Sequence, residues 1–311
     1  MNTSVMLPAV HVRAPGMLTL VLRVGPAGAD GDHQLATVYQ AVSLHEDVVA
    51  TPAEEITVST TGPWADRVAD DETNLACRAA RLLAEASGTS TGVHLQITKR
   101  VPVGGGMAGG SADAAAALLA CDLLWQTGLA REELGHLAAE LGADVPFALT
   151  GGTAVALGRG DRLTPALARG CYHWVLGIRA QGLSTGEVFT EWDRLHPDQE
   201  PVPHIDDAVM AALISGDPHR LAEVLGNDLD DAAGNLAPAV QQVQQVLADS
   251  PALASLVAGS GPTVAALAPD HPTAVEIAET LRTARVADHV EVVTGPAPGA
   301  RLLESVREDE A

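Results

Sequence analysis

The chain has 311 residues, 47% of them hydrophobic and 19% charged, enough for one large core or two smaller ones and too apolar for wholesale disorder. A formal net charge of −22 excludes duplex nucleic acid as a partner, because phosphate backbones require a basic footprint. It leaves room for a small anionic substrate held by locally gathered positive groups. No apolar run reaches the ~18 residues of a membrane span, and no signal-like segment opens the chain, so the expectation is a soluble cytoplasmic protein without a membrane partner. Aromatic residues make up only 3%, so the core must be built from Ala, Val and Leu. Cys77, Cys121 and Cys171 are widely spaced in apolar settings and are expected to be core thiols. Eleven histidines without a metal-binding spacing give no expectation of a structural metal. Monomer and homodimer both remain open.

In chain order, residues 9–24 alternate in the manner of a strand, with a bend expected at Pro15-Gly16. A Gly/Pro turn over 25–31 leads to an apolar segment at 33–44 and strand-like runs at 47–50 and 56–59. Residues 60–73 are polar and acidic and read as an exposed loop. Thr73 or Asn74 caps a helix reaching about Ala86, and 93–97 is an alternating strand that runs into a glycine loop. A long apolar helix over 111–126 is ended by Gly128, and a second over 131–141 by Gly142. Asp144 suits the N-cap of a short helix with Pro146 in its first turn, followed by a strand over 151–157. A boundary near 165–171 divides the chain into domains 1–168 and 169–303 and an acidic tail, 304–311. The second domain reads as a strand at 173–178, helices at 185–195, 207–214, 218–226 and 236–248, and a strand–turn–strand around Gly259-Ser260-Gly261-Pro262. A helix at 271–284 and a strand at 289–293 close it. The fold class is therefore α+β.

The stretch Lys99-Arg100-Val101-Pro102-Val103-Gly104-Gly105-Gly106-Met107-Ala108-Gly109-Gly110-Ser111-Ala112-Asp113 places five glycines within seven residues, between a strand and a long helix. Without Cβ atoms such a loop can turn several backbone N–H groups toward one anion, and the helix adds its positive end. This is the chemistry of holding a triphosphate; a flexible linker or packing turn is the bland alternative. Gly104-x-Gly106-x-x-Gly109 satisfies a dinucleotide fingerprint, but some 90 mostly strand-forming residues precede it and no acid follows a strand ~20 residues on. Lys99 is the only lysine against seventeen arginines, and it stands five residues before the first glycine of the loop. That placement points to an ammonium near a nucleotide, or to a chance survivor. Asp113 would repel bound phosphates and is read as a residue of the first helical turn.

The wider string from Pro102 to Asp113 resembles the central motif of the GHMP small-molecule kinases. Further segments follow the family's order: Ala14-Pro15, Asp30-Gly31-Asp32-His33-x-Leu35, Asn74-Leu75, Leu141-Gly142-Ala143-Asp144-Val145-Pro146-Phe147 and Gly259-Ser260-Gly261-Pro262-Thr263. The similarity runs from about residue 10 to 295. It implies a ribosomal S5 domain 2-like N-terminal domain and a ferredoxin-like C-terminal domain with the site between them. ATP would lie with its phosphates over Pro102, Val103, Gly104, Gly105, Gly106, Met107, Ala108, Gly109, Gly110, Ser111 and Ala112. Ser111 would also touch Mg2+, and Asn74 and Lys99 would contact the nucleotide. Asp144 matches the family's catalytic aspartate, although a helix cap would explain it locally. Asp32, His33 and Phe189 match positions holding a cytosine ring, and Thr185 and Thr263 are candidates for the substrate channel. The branch it resembles most phosphorylates the 2-hydroxyl of a cytidine diphosphate-linked methylerythritol in the non-mevalonate isoprenoid route.

Two departures stand out. Where the family's first strand reads Ala-Pro-Ala/Gly-Lys-x-Asn-Leu, this chain reads Ala14-Pro15-Gly16-Met17-Leu18-Thr19-Leu20, so the active-site lysine is Met17. Loss of such a cationic donor lowers a rate on the order of 10²-fold or more. Asp32 replaces the aromatic that stacks on cytosine, removing ~1–3 kcal/mol of stacking. Arg13 and Arg23 share the strand, but at ~3.3 Å per residue Arg13 stands about 13 Å from position 17. A slow kinase, a kinase for another small alcohol, and a non-catalytic nucleotide-binding paralogue all remain open on the sequence.

Overall fold

A computed structural model describes residues 9–28, 31–197 and 202–303; Asp30 and the acidic tail lie outside the described residues. The N-terminal half contains β1 (Val10–Ala27), β2 (His33–Ala53), β3 (Thr57–Thr61), α1 (Leu75–Ser87), β4 (Gly92–Thr98), α2 (Gly109–Trp125), α3 (Arg131–Leu141), α4 (Val145–Thr150), β5 (Thr153–Gly158) and β6 (Arg162–Pro165). Then come β7 (Tyr172–Ile178), α5 (Thr185–Leu195), α6 (Asp207–Ser215), α7 (Pro218–Ala222), β8 (Gly226–Asn227), α8 (Asp230–Leu236), α9 (Pro238–Ala248), β9 (Ala254–Val257), β10 (Val264–Ala268), α10 (His271–Ala284), β11 (His289–Gly295) and β12 (Arg301–Leu302).

Eight strands form one sheet in the order β12-β1-β2-β4-β3, with β5 and β6 continuing from β2 and β8 lying parallel on β1. The Pro15-Gly16 bend does not break β1. It shifts the register between Pro15 and Met17, and Met17 donates its N–H to Met107 C=O, 3.1 Å away. Strand and glycine loop are thereby tied together at the residue where the family pattern departs. On one face of this sheet lies α2, buried almost all round through Ala112, Ala114, Ala115, Ala116, Ala117 and Ala120. Methyl-sized side chains let helix and sheet approach closely, which is how a core with so few aromatics closes.

The second sheet is fully antiparallel in the order β11-β7-β10-β9. Numbered along the chain, these strands run 4-1-3-2, the ferredoxin-like order expected from the resemblance. The sheets are joined in the interior, where Trp174 Nε1–H donates to Gln40 Oε1 at 3.2 Å.

Several expectations are corrected. Gln126, in a left-handed conformation (φ 54), ends α2 ahead of Gly128. The helix expected over 218–226 stops at Ala222, and α8, β8 and β12 are additional. The 60–73 loop carries a buried Trp64 and a 3-10 turn over Ala65–Arg67. Cys77 and Cys121 are buried, but Cys171 is exposed because it lies just before β7 enters the sheet.

Candidate active site

A cavity of about 530 Å³ is floored by the glycine loop and walled by β1, β2, the turn before α5 and the turn after β9. The loop takes its shape from Gly104 (φ 66), Gly106 (φ 76) and Ala108 (φ 54). A Cβ on Gly106 would overlap the Ala258 carbonyl oxygen, so the loop is wedged against the turn that follows β9. At Gly110, by contrast, the Cβ position faces open space. Helix α2 starts there with no side-chain cap, so the positive end of a 17-residue helix is presented to the cavity. A Gly106→Ala substitution is accordingly expected to weaken ATP binding by at least tenfold and to lower the melting temperature, read by calorimetry and thermal denaturation.

Beneath the loop, Lys99 is fully buried and its ammonium donates to Glu46 Oε1 (2.7 Å) and Asp113 Oδ2 (2.6 Å). Glu46 also accepts from the backbone N–H groups of Arg100 and Val101. The lysine thus forms part of the cavity floor with its charge engaged by two carboxylates. Burial works against that charge, but Asp113 and Glu46 outweigh it and hold the lysine's pKa above its ordinary value. Burial pushes both carboxylates up, and at Glu46 the charge of Asp113 adds to it. Asp113 is therefore not a first-turn residue: α2 begins at Gly109, and Asp113 lies in its second turn, against Lys99.

Asp144 occupies the N-cap position of α4, yet its side chain makes no capping hydrogen bond. It lines the cavity, and burial pushes its pKa up to about 6. The cap explanation thus loses its physical basis, and what remains is a carboxyl group on the cavity wall whose charged form burial disfavours. Met17 lines the same cavity while packing with Tyr39 and Phe147. Neither arginine of β1 substitutes for a lysine there. Arg13 is bidentate to Asp47 (2.7 and 3.0 Å), and Arg23 pairs with Asp228 at 3.1 Å.

Asn74 caps α1, accepting from Ala76 N–H, and lines the cavity. Pro102, Val103, Gly105, Met107 and Gly109 line it as well. Ser111 is half-buried in the first turn of α2, whereas Ala112 is wholly in the core. Thr263 is fully buried behind Gly105 and is absent from the cavity wall. Arg67, in the segment read as a plain acidic loop, brings a second positive charge to the cavity. It is the lone basic residue among Asp66, Asp70, Asp71 and Glu72, and that contrast was the available signal. Ser260 is a further wall residue, its hydroxyl 2.9 Å from that of Thr185.

A second cavity of about 420 Å³ adjoins the first through Leu35, Thr185 and Phe189. His33 stacks on Phe189 there, with centroids 4.7 Å apart, and its Nε2 lies 3.0 Å from Asp193 Oδ1. Asp32 lines the same cavity and pairs with Arg159 at 3.0 Å. The geometry thus gathers a glycine-loop floor at the start of α2, a carboxyl on the cavity wall and an adjoining aromatic pocket.

Comparison with known proteins gives the arrangement a lineage. The models for the GHMP kinases N terminal domain and the GHMP kinases C terminal region match residues 74–152 and 209–287. A 4-diphosphocytidyl-2-C-methyl-D-erythritol kinase from Leifsonia xyli is 53% identical, covering 95% of this chain and 99% of its own. One of the same name from Nocardia farcinica is 50% identical over 97% of this chain and 98% of its own. A crystal structure of 4-(cytidine 5'-diphospho)-2C-methyl-D-erythritol kinase superposes with a TM-score of 0.76 at 31% identity, covering 92% of this chain and 99% of that one. A crystal structure of L. major mevalonate kinase, at 16% identity and a TM-score of 0.74, shares the fold. Sequence, site geometry and fold agree, and the chain belongs to the GHMP kinases.

Proposed function

We propose that this protein transfers the terminal phosphoryl group of ATP to the 2-hydroxyl of 4-diphosphocytidyl-2-C-methyl-D-erythritol. The observation that carries the reading is Asp144, an N-cap carboxyl that makes no capping hydrogen bond and lines the cavity floored by the glycine loop. The names of relatives about 50% identical over nearly the whole chain support the substrate. Asp144 accepts and orients the proton of the attacking hydroxyl. The residues from Gly104 to Gly110 and the start of α2 hold the phosphates by backbone N–H groups. Asn74 and Arg67, which line the same cavity, contact the rest of the nucleotide.

Among the described residues, no group of three or more His, Cys, Asp or Glu side chains could hold a metal ion. Bound ATP would bring its own magnesium ion, which takes most of its ligands from phosphate and water, and Ser111, half-buried in the first turn of α2 beside the glycine loop, is the protein hydroxyl that would reach it. Bound ATP with its magnesium supplies the phosphoryl group and spreads its developing charge. No helix among the described residues is long and apolar enough to cross a membrane.

The reading is tested with Mg-ATP and the cytidyl substrate, following ADP release and the new phosphomonoester by 31P NMR. Failure to form that product would overturn it. Met17 supplies no charge, and the Lys99 ammonium beneath the loop is engaged by Glu46 and Asp113, so turnover is expected to be slow. Met17→Lys is expected to raise kcat at least about tenfold in the same assay, given the weight of single transition-state donors.

A further inference from the structure

The second cavity poses a problem for any flat ring that enters it. The rings of His33 and Phe189 are stacked with centroids 4.7 Å apart. A third ring does not fit between them, because each stacked layer needs roughly 3.5 Å of its own. The edge of Trp192 closes on His33 as well, with centroids 5.7 Å apart. An incoming base therefore cannot sit between these two rings, and a second stacking surface opposite them has to come from the position where this chain carries Asp32 in place of an aromatic.

The remaining flat group on that wall is the guanidinium of Arg159. Its turn is fixed by flanking glycines with φ 75 at Gly158 and φ 89 at Gly160. Asp32 Oδ2 holds Nε at 3.0 Å. This ion pair holds the guanidinium, a planar group that stacks on rings, at the cavity wall. Both side chains are exposed enough that the pair adds little to folding. Carboxylate and guanidinium cancel in charge, which suits an uncharged ring.

We infer that Arg159, oriented by Asp32, is the stacking platform for the base of a cytidine diphosphate-linked substrate. Asp32 is then one half of a device that replaces the missing aromatic. This rests on the cytidyl reading above and assigns the specificity of that site to Arg159.

The test titrates cytidine 5'-diphosphate into the full-length protein with saturating ADP, read by calorimetry. Arg159→Ala is expected to weaken binding about tenfold or more, the usual weight of one stacked base. Arg159→Lys should weaken it as much, because an ammonium has no flat face. The double variant Asp32→Tyr/Arg159→Ala should recover affinity to within about threefold. Unchanged affinity in Arg159→Ala overturns the inference. So does a parallel loss of inorganic pyrophosphate binding, which would show that the arginine acts through charge alone. Arg159-dependent binding without phosphorylated product sinks the kinase reading and leaves the platform standing. Product formation with affinity indifferent to Arg159 does the reverse, and wild-type protein that holds no cytidine diphosphate overturns both.

Discussion

Asp144→Asn is expected to lower kcat by about 10² to 10⁴-fold, the usual contribution of a positioned general base, while leaving the fold intact. Asparagine keeps the shape and loses only the ability to take a proton. The same change is expected to stabilise the protein at pH 8. The carboxyl's pKa is pushed to about 6 in the folded chain by burial, against ~3.9 when unfolded. Between pH 4 and 6 the folded state therefore binds more protons, so stability falls as pH rises through that window and the full penalty applies above it. Removing the carboxylate relieves roughly 1–3 kcal/mol at pH 8 and almost nothing at pH 4, measurable by urea denaturation at the two values. Activity runs the other way: a base must be unprotonated, so wild-type kcat/KM should climb through pH 6 and level off above it. A residue that merely capped a helix would show the opposite signature, with stability lost on substitution and no inflection in rate.

Lys99→Met is expected to destabilise the protein by about 3–5 kcal/mol at pH 8, because it leaves two buried carboxylates without their shared cation. Glu46 and Asp113 are both buried and both bond to the one ammonium. Their pKa values are already raised, chiefly by burial, so they take up protons readily once the lysine is gone. The deficit should accordingly shrink as pH is lowered toward 5. The triple change Lys99→Met/Glu46→Gln/Asp113→Asn removes the charge conflict and should recover much of the loss. Chemical denaturation at pH 8 and pH 5 checks both points; equal losses at the two values would contradict the assignment. Because Glu46 grips the entry to the glycine loop and Asp113 the helix leaving it, ATP affinity should fall in Lys99→Met even where the protein remains folded.

Much of this site could be read from local pattern. The Asn74 cap and the apolar spacing behind it determine α1 within a residue, because capping and periodicity are both short-range effects. The glycine loop announces itself for the same reason. What stayed hidden depends on distant partners. Strand β12 is two residues long and exists only because Val12 and Arg13 offer it an edge. Helix α8 contains Gly234 and Asn235, poor helix formers, in a segment whose Ala232, Ala233 and Gly234 are buried and where a Cβ at Gly234 would crowd Gln241. Lys99 drew attention as the sole lysine, but its two carboxylate partners lie 53 and 14 residues away and no spacing rule joins them. Arg159 reads as an ordinary turn residue until Asp32 is brought beside it.

Strand β1 carries one more consequence. Its inner edge pairs with β2, while at its outer edge β12 covers Val12 and Arg13 and β8 covers Val21 and Leu22, both strands arriving from the far half of the chain. An N-terminal fragment ending near residue 165 would expose that edge as a row of unpaired backbone groups on an apolar strand, a template for self-association. The late segments therefore act as guards against aggregation as well as walls of the site, and nascent chains stay vulnerable until residues 301–302 have emerged.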